Sequence, residues 1–437
     1  MGDNAEEEPA AEGDRVISRR AFLASLQLGR RPNVVVFLSD DMGWADISCY
    51  GAKDIKTPNI DRLAREGVKL SDCYSNGPVC TPTRCGLMTG RYQQRYGRGL
   101  EWALLPTNVN VGLDPKHATL PRLLKNSGYK TAIFGKWHLG RETQFSPIHH
   151  GFDEYYGLTG GNVDMYSKED RFKNYDFYDG LEKAATAPGY LTELLAGRAE
   201  KFITANKANP FFLYMPFNAV HWPFQGPGRP ESVRDMKSWY DGTRLGEYKP
   251  MLEAMDAAVG RVLNTLDTLG LAQNTLVIFT NDNGGERLSD NGPFRHHKAT
   301  LWEGGIRVPG LVRWPGKVPR GKTNAQVCMS MDFTATIAAA CGAKAVDPFD
   351  GIDLLPVLSG RSGVQERDLF WRINQPNQRM RAVRSGKWKY ILDGGIHNMY
   401  DLSNDPGETR DLYYVHPDVA ERLKKKLEDW EKSLANV

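Results

Sequence analysis

A chain of 437 residues with 41% hydrophobic residues, 25% charged residues and a net charge of +3 is long enough to bury a large core and has ordinary globular composition. The small net charge excludes a polyanion-binding surface, so no nucleic-acid partner is expected, and an anionic substrate would need a local basic pocket. No apolar run is long enough for a transmembrane anchor, and six scattered cysteines without a Cys-x-x-Cys pair exclude a disulfide scaffold and a zinc module.

Residues 3–14 carry six acidic side chains and no basic one, which reads as a disordered lead. Ser18-Arg19-Arg20-Ala21-Phe22-Leu23 follows and has the form of a twin-arginine export motif, but almost no apolar core follows it. Residues 1–31 are therefore read as a lead or degenerate export signal. Export to the periplasm or outside is favoured over a cytoplasmic location.

Asn33 to Ser39 is a continuous β-branched run that predicts a buried parallel strand. Thr57 to Gly67 predicts a helix, with a capping residue, proline at its first position and glycine at its end. Leu120–Asn126 predicts a short helix, followed by a strand at Lys130–Phe134. Phe211–Phe217 and Leu276–Thr280 are further apolar strands, with an amphipathic helix from about Tyr248 to Leu269 between them. The polar and aromatic stretch from Tyr155 to Gly189 lacks periodicity and reads as a long surface excursion. Alternating strands and helices predict an α/β sheet covered on both faces. After Gly360, short strands at Asp368–Ile373, Met380–Arg384 and Trp388–Leu392, a turn at Asp405-Pro406-Gly407 and a charged helix at Glu421–Leu434 predict a small antiparallel sheet with one helix. The expected division is residues 32–360 as the catalytic domain and 361–437 as a C-terminal α+β subdomain.

Chemistry concentrates at predicted strand ends, where open α/β sheets place their sites. Asp40-Asp41 follows the first strand and Asn281-Asp282-Asn283 follows the Leu276–Thr280 strand. Three carboxylates and an amide make an all-oxygen set for a hard cation, Ca²⁺ or Mg²⁺. Lys136 and His138 follow a third strand and, two apart on extended backbone, are expected to point the same way. A cation and a titratable base there suit anion binding and proton transfer. His221 follows the Phe211–Phe217 strand, and Lys298 lies in His296-His297-Lys298.

Between these motifs lies Val79-Cys80-Thr81-Pro82-Thr83-Arg84-Cys85-Gly86-Leu87-Met88-Thr89-Gly90-Arg91. It reads as a nucleophile loop feeding a helix. Cys80 is expected just ahead of the helix, where unpaired N–H groups stabilise an anionic centre. Arg84 returns a guanidinium toward it from four residues on. Cys85-x5-Arg91 has the spacing of a cysteine phosphatase loop, but Tyr92 stands where serine or threonine is needed, and Leu87 and Met88 are bulky where amides should cradle phosphate.

The pattern Cys80-x-Pro82-Thr83-Arg84 with Leu87-Met88-Thr89-Gly90-Arg91 resembles the signature of type I sulfatases, of the alkaline phosphatase superfamily. The resemblance extends over residues 32–320 and to Trp388-Lys389-Tyr390 and Met399–Thr409. It implies an alkaline phosphatase-like fold, and a sulfatase in which Cys80 is oxidised to Cα-formylglycine by a formylglycine-generating enzyme. It implies metal ligation by Asp40, Asp41, Asp282, Asn283 and the modified Cys80, and catalytic roles for Arg84, Lys136, His138, His221 and Lys298. In the implied mechanism a hydroxyl of the hydrated aldehyde attacks sulfur while Lys136 and Lys298 neutralise the sulfuryl oxygens. His221 or Lys298 protonates the leaving alcohol, and His138 takes the proton of the second hydroxyl to expel sulfate. Trp102, Trp222 and Trp302 are candidate platforms for a sugar or aryl ring. Arg295, His296 and His297 are candidates for a second anionic group, and Asn162 for a sulfate contact. The expected substrate is a sulfated glycan or aryl sulfate. The alternatives are a phosphonate monoester or phosphodiester hydrolase on this fold, and a catalytically silent carbohydrate-binding relative.

Overall fold

Alternation along the first strand decides the architecture. In the computed structural model, strand β1 (Asn33–Ser39) is buried throughout. Val35 and Phe37 enter one apolar core, and Val34, Val36 and Leu38 enter another. A strand buried on both sides must have helices on both faces. The helices Pro58–Glu66, Leu191–Ala205 and Lys249–Thr268 contribute to the first core, and Cys80–Thr89, Leu120–Asn126 and Ser330–Cys341 to the second. The structure describes residue 1 and residues 31–184, 187–232, 235 and 237–434. The acidic lead and the Arg19-Arg20 motif lie outside the described residues.

The other strands of the large sheet are β2 (Val68–Leu70), β4 (Lys130–Lys136), β5 (Glu154–Leu158), β6 (Tyr178–Asp179), β7 (Glu182–Lys183), β8 (Phe211–Pro216), β9 (Thr275–Asn281), β10 (Gly310–Arg313) and β11 (Lys322–Asn324). They form a ten-stranded mixed sheet in the order β11-β2-β10-β9-β1-β8-β4-β5-β6-β7. Its centre, β9-β1-β8-β4, is parallel, so four carboxyl ends open on one edge. The short β3 (Cys73–Tyr74) pairs with β12 (Cys328–Met329) apart from it.

The predicted strands and helices of residues 33–281 form with small shifts at their ends. The Tyr155–Gly189 stretch corrects the sequence reading. It supplies three strands, and Tyr155, Leu158, Val163, Met165 and Phe177 are buried in the two cores. Its apolar residues are irregularly spaced because they cover a sheet edge, so neither period appears in the sequence.

The C-terminal sheet has four antiparallel strands, β13 (Asp368–Gln375), β14 (Gln378–Ser385), β15 (Trp388–Asp393) and β16 (Ile396–Asp401). The last was not anticipated. The terminal helix runs Pro417–Leu434, with proline in its first turn. It packs on the sheet through Leu423, Leu427 and Trp430, in a core that also takes Tyr74, Trp302 and Met329 from the larger body. Trp371 sits 5.3 Å from Tyr74, and its indole N–H donates to Ser75 O at 2.8 Å. The core is thus continuous across residue 360.

His150 supplies a test of this packing. It is fully buried against Trp137, with both ring nitrogens unpartnered. Burial, then Arg122, depresses its pKa to about 3. A depressed histidine contributes stability above its unfolded pKa, 6.5, and that stability is lost as pH falls toward 3. Between pH 7.5 and 5.5, urea unfolding of His150→Phe should lose about 1.4 kcal/mol less stability than wild type. Equal losses would mean that His150 is not held neutral by the fold.

Candidate active site

The carboxyl ends of four adjacent parallel strands deliver the polar residues. Asp40 and Asp41 follow β1, Asp282 and Asn283 follow β9, Lys136 ends β4, and His221 follows β8. Asp41 has φ of 59°, a left-handed turn that breaks strand alternation and lets both aspartates serve one site. Asn281 ties two of the loops together. Its amide N–H donates to Met42 O at 2.7 Å, and its Oδ1 accepts from Ser39 Oγ at 2.7 Å.

Cys80 is the first residue of the helix Cys80–Thr89, capped by Val79, and Gly90 ends that helix in the left-handed region. The whole helix is buried. Cys80 Sγ lies 3.5 Å from Asp40 Oδ1 and 3.3 Å from Lys136 Nζ. Burial pushes its pKa well above the ordinary thiol value. Lys136 opposes this, while Asp40 and Asp282 add to it. Cys80 is therefore a protonated, weakly nucleophilic thiol. The sequence expectation of a stabilised anion does not hold for sulfur: burial is the main cause, so the position at the helix start does not by itself make the sulfur an anion. Arg84, one turn on, places Nε and Nη2 at 3.1 and 2.8 Å from Asp282 Oδ2, and Nη1 donates to Lys136 O at 2.8 Å. Cys85 is fully buried and its thiol is also pushed up by burial. Arg91 pairs with Asp347 at 3.6 Å. The phosphatase-loop geometry is absent there.

Three carboxylates here face three cations. Lys136 Nζ is 2.6 Å from Asp40 Oδ2, Lys298 Nζ is 2.5 Å from Asp41 Oδ2, and Arg84 binds Asp282. Burial pushes the Asp41 carboxyl up, but Lys298, His221 and Lys136 together outweigh it and hold the group well below the usual range. Asp282 is pushed up to about 6 by burial and then by Asp40. Burial also works against the Lys298 charge, yet Asp41, Cys80, Glu286 and Asp40 together hold that ammonium well above the ordinary lysine value. Asn283 Nδ2 donates to Asp41 Oδ1 at 2.8 Å, while its buried Oδ1 has no partner. An orphaned amide oxygen among carboxylates fits a hard cation. Ligand atoms of Asp40, Asp41, Cys80 and His221 lie within 4.8 Å of one another, so His221 stands beside the oxygen set.

The histidines differ from the sequence expectation. Lys136 ends its strand, and His138 has φ of 55°, so the two are brought together by a turn and not by alternation. His138 Nε2 is 2.9 Å from Leu104 O, which only accepts, so Nε2 carries the proton. Buried Nδ1 is unpartnered and keeps its lone pair. His221 Nδ1 donates to Trp222 O at 2.6 Å, leaving Nε2 3.4 Å from Asp41 Oδ2. Burial depresses the His221 pKa to about 3 despite Asp41, so the ring is neutral and holds no second proton to give.

The structure separates the expected substrate contacts. Asn162 Nδ2 donates to Trp222 O at 2.9 Å, which puts Asn162 and Trp222 beside His221. Trp102 is half-buried against the C-terminal core, two residues before the carbonyl that holds His138. His296 and His297 are exposed beside Lys298. Trp302 is 6% exposed and packed on Tyr400, so it offers no open face. Arg295 lies over Trp302 at 4.3 Å and donates to Glu408 O at 3.0 Å, which commits it to holding the C-terminal sheet. Two residues near the site were not singled out from sequence. Thr81 accepts from Leu104 N and donates to His138 O, and Glu286 lies 3.5 Å from Lys298 Nζ. The only signal for either was proximity to a motif.

Comparison with known proteins agrees with this geometry. The sulfatase family model matches residues 32–343, and the model of the C-terminal part of N-sulphoglucosamine sulphohydrolase matches residues 293–433. N-acetylgalactosamine-6-sulfatase of Canis lupus familiaris is 35% identical over 408 residues, covering 87% of this chain and 76% of the relative. Steryl-sulfatase of Mus musculus is 33% identical, covering 88% of this chain and 78% of the relative. The crystal structure of Ps i-CgsB superposes with a TM-score of 0.84 at 31% identity, covering 92% of this chain and 93% of that one, and has also been solved with k-i-k-neocarrahexaose bound. With the sulfatase model matching residues 32–343 and relatives at about 35% identity over most of its length, the chain belongs to the sulfatase family of the alkaline phosphatase superfamily and is a sulfuric ester hydrolase.

Proposed function

We propose that Cys80, oxidised to formylglycine by a formylglycine-generating enzyme, is the nucleophilic position of this sulfatase, and that Asp40, Asp41, Asp282 and Asn283 hold a Ca²⁺ or Mg²⁺ ion beside it. The observation that carries this reading is the thiol itself. Burial first, then Asp40 and Asp282, keeps it protonated, and Arg84, Lys136 and Lys298 around it are each paired with a carboxylate. The cation supplies Lewis-acid polarisation, and the hydrated aldehyde supplies two hydroxyls where a thiol has none.

The chain's own groups take the remaining work. Lys136 and Lys298 neutralise the sulfuryl oxygens. Arg84 fixes Asp282 and the Lys136 carbonyl, and so the distance between helix and strand ends. Lys298 donates the proton to the leaving alcohol, because His221 has spent its only N–H on Trp222 O. His138 Nδ1, whose lone pair is free, accepts the proton released when sulfate departs. Asn162, Trp102, Trp222 and His297 are the retained substrate contacts.

A sulfated glycan is the preferred substrate. This is supported by the names of the N-acetylgalactosamine-6-sulfatase relatives and by the hexaose bound to Ps i-CgsB. Residues 32–360 form the catalytic body and residues 361–437 the subdomain that closes one side of it, since Gln378 Nε2 donates to Ala299 O, next to Lys298, at 2.7 Å. Among the described residues no helix is long and apolar enough to cross a membrane. Export is the location we favour.

Two measurements test the reading. In a host with a formylglycine-generating system, the peptide holding Cys80 should carry an aldehyde mass and react with a hydrazide, while Cys85 stays a thiol. Cys80→Ala should fold and release no sulfate; full sulfate release by that variant would refute the nucleophile. Arg84→Gln should lose about 3–5 kcal/mol of unfolding free energy, because it leaves Asp282 unpaired in a dry site. A loss below about 1 kcal/mol, read by denaturant titration, would contradict the charge pairing.

A further inference from the structure

Between Leu100 and Leu120 the chain has no helix or strand, yet one carbonyl of that stretch sets the ring of His138. Leu104 O accepts from His138 Nε2 at 2.9 Å. A stretch with no hydrogen-bond ladder of its own holds a carbonyl in place only if other groups tie it down. The tie is Thr81, the residue after Cys80 in the helix Cys80–Thr89. Its hydroxyl oxygen accepts from Leu104 N–H at 3.1 Å, and its hydroxyl proton goes to His138 O at 3.0 Å.

These three bonds close a ring, and their directions are fixed. A backbone N–H only donates and a carbonyl only accepts, so the Thr81 hydroxyl must accept from Leu104 and donate to His138 O. Thr81, His138 and Leu104 are all buried, so losing the hydroxyl would leave an N–H and a carbonyl unpaired away from water. The rest of His138 is confined as well. Its backbone sits at φ of 55°, its N–H donates to Thr159 O at 3.2 Å, and its ring lies against Gly161, where a Cβ would come within 3.1 Å of it. Burial keeps the ring neutral, so it carries one proton. Which nitrogen holds that proton decides whether Nδ1 has a lone pair to offer.

We propose that Thr81 is the positioning residue for proton transfer at His138. Its hydroxyl holds Leu104 O against Nε2, keeps the ring in the Nε2–H tautomer and leaves Nδ1 to accept the proton when sulfate departs. Thr81 acts through Leu104 and His138, and because it adjoins Cys80 in one helix it also sets His138 relative to the nucleophilic position. The inference rests on the role given to His138 above.

Thr81→Val keeps the shape of the side chain and removes the hydroxyl, whereas Thr81→Ser keeps the hydroxyl. Nitrogen-15 spectra of histidine-labelled protein, with His138→Gln to assign the signal, read the tautomer without turnover. Wild type and Thr81→Ser should carry the His138 proton on Nε2, and Thr81→Val should show both tautomers. Rates on 4-nitrophenyl sulfate are divided by the formylglycine content of each protein, measured by mass. Thr81→Val should release its first equivalent of 4-nitrophenol as fast as wild type and then turn over about tenfold or more slowly, with sulfate trailing the phenol, while Thr81→Ser stays within about threefold of wild type. A wild-type proton on Nδ1 would overturn the inference even if Thr81→Val did not fold. So would a pure Nε2–H tautomer in Thr81→Val, or an equal loss in first release and steady turnover, which marks a merely structural role. His138→Gln separates this inference from the reading beneath it. If that variant slows phenol and sulfate release equally, the release role of His138 falls and this inference with it. If only its sulfate release lags, normal turnover by Thr81→Val overturns the inference alone.

Discussion

Three carboxylates sharing a water-poor site is the constraint on which the rest of the structure depends. Asp40, Asp41 and Asp282 are at most 3% exposed, and such groups stay ionised only if paired. Each has its own cation, from three different elements: Arg84 from a helix, Lys136 from a strand end and Lys298 from a loop. Three against three leaves the site neutral. A divalent cation held there would make it electropositive and would draw in a sulfate ester although the whole chain carries only +3. The same arrangement explains why a plain thiol is unsuited to the Cys80 position, since its anion would add a fourth negative charge.

Holding these groups requires the ends of β9, β1, β8 and β4 to stay in register, and the hydrogen bonds of Asn281 and Arg84 do so locally. The Lys298 loop is the exception, because it lies off the sheet. Its neighbours are fixed from both sides: Lys298 N donates to Gly285 O, Ala299 N to Pro78 O, and Ala299 O accepts from Gln378 of the C-terminal sheet. Behind it, Lys389 is fully buried with both Glu303 and Glu408 at 2.8 Å. The small sheet is thus part of the scaffold of the site, and the shared core around Trp371 and Tyr74 is what attaches it.

Much of this was legible in the sequence. Continuous apolar runs such as Asn33–Ser39 announced buried strands, and carboxylates directly after two of them announced the site, because strand ends are where α/β sheets place ligands. The Cys80–Arg91 pattern announced the chemistry. What escaped were contacts that no local period encodes. The strand Ile396–Asp401 carries polar residues along an edge, and the Tyr155–Gly189 stretch packs by irregularly placed aromatics. Trp302 and Arg295 sit beside the Lys298 motif in sequence but face the C-terminal core. His138 reaches the site through a left-handed backbone turn and not through strand alternation, and Glu286 is marked only by the partner it finds in space.

Calorimetric titration of Ca²⁺ into metal-depleted protein asks whether the carboxylate cluster is a cation site at all. One ion per chain should bind, Mg²⁺ should compete for it, and Asp282→Asn should weaken binding at least a hundredfold while the protein stays folded. No saturable binding heat, or an affinity unchanged by Asp282→Asn, would contradict the account.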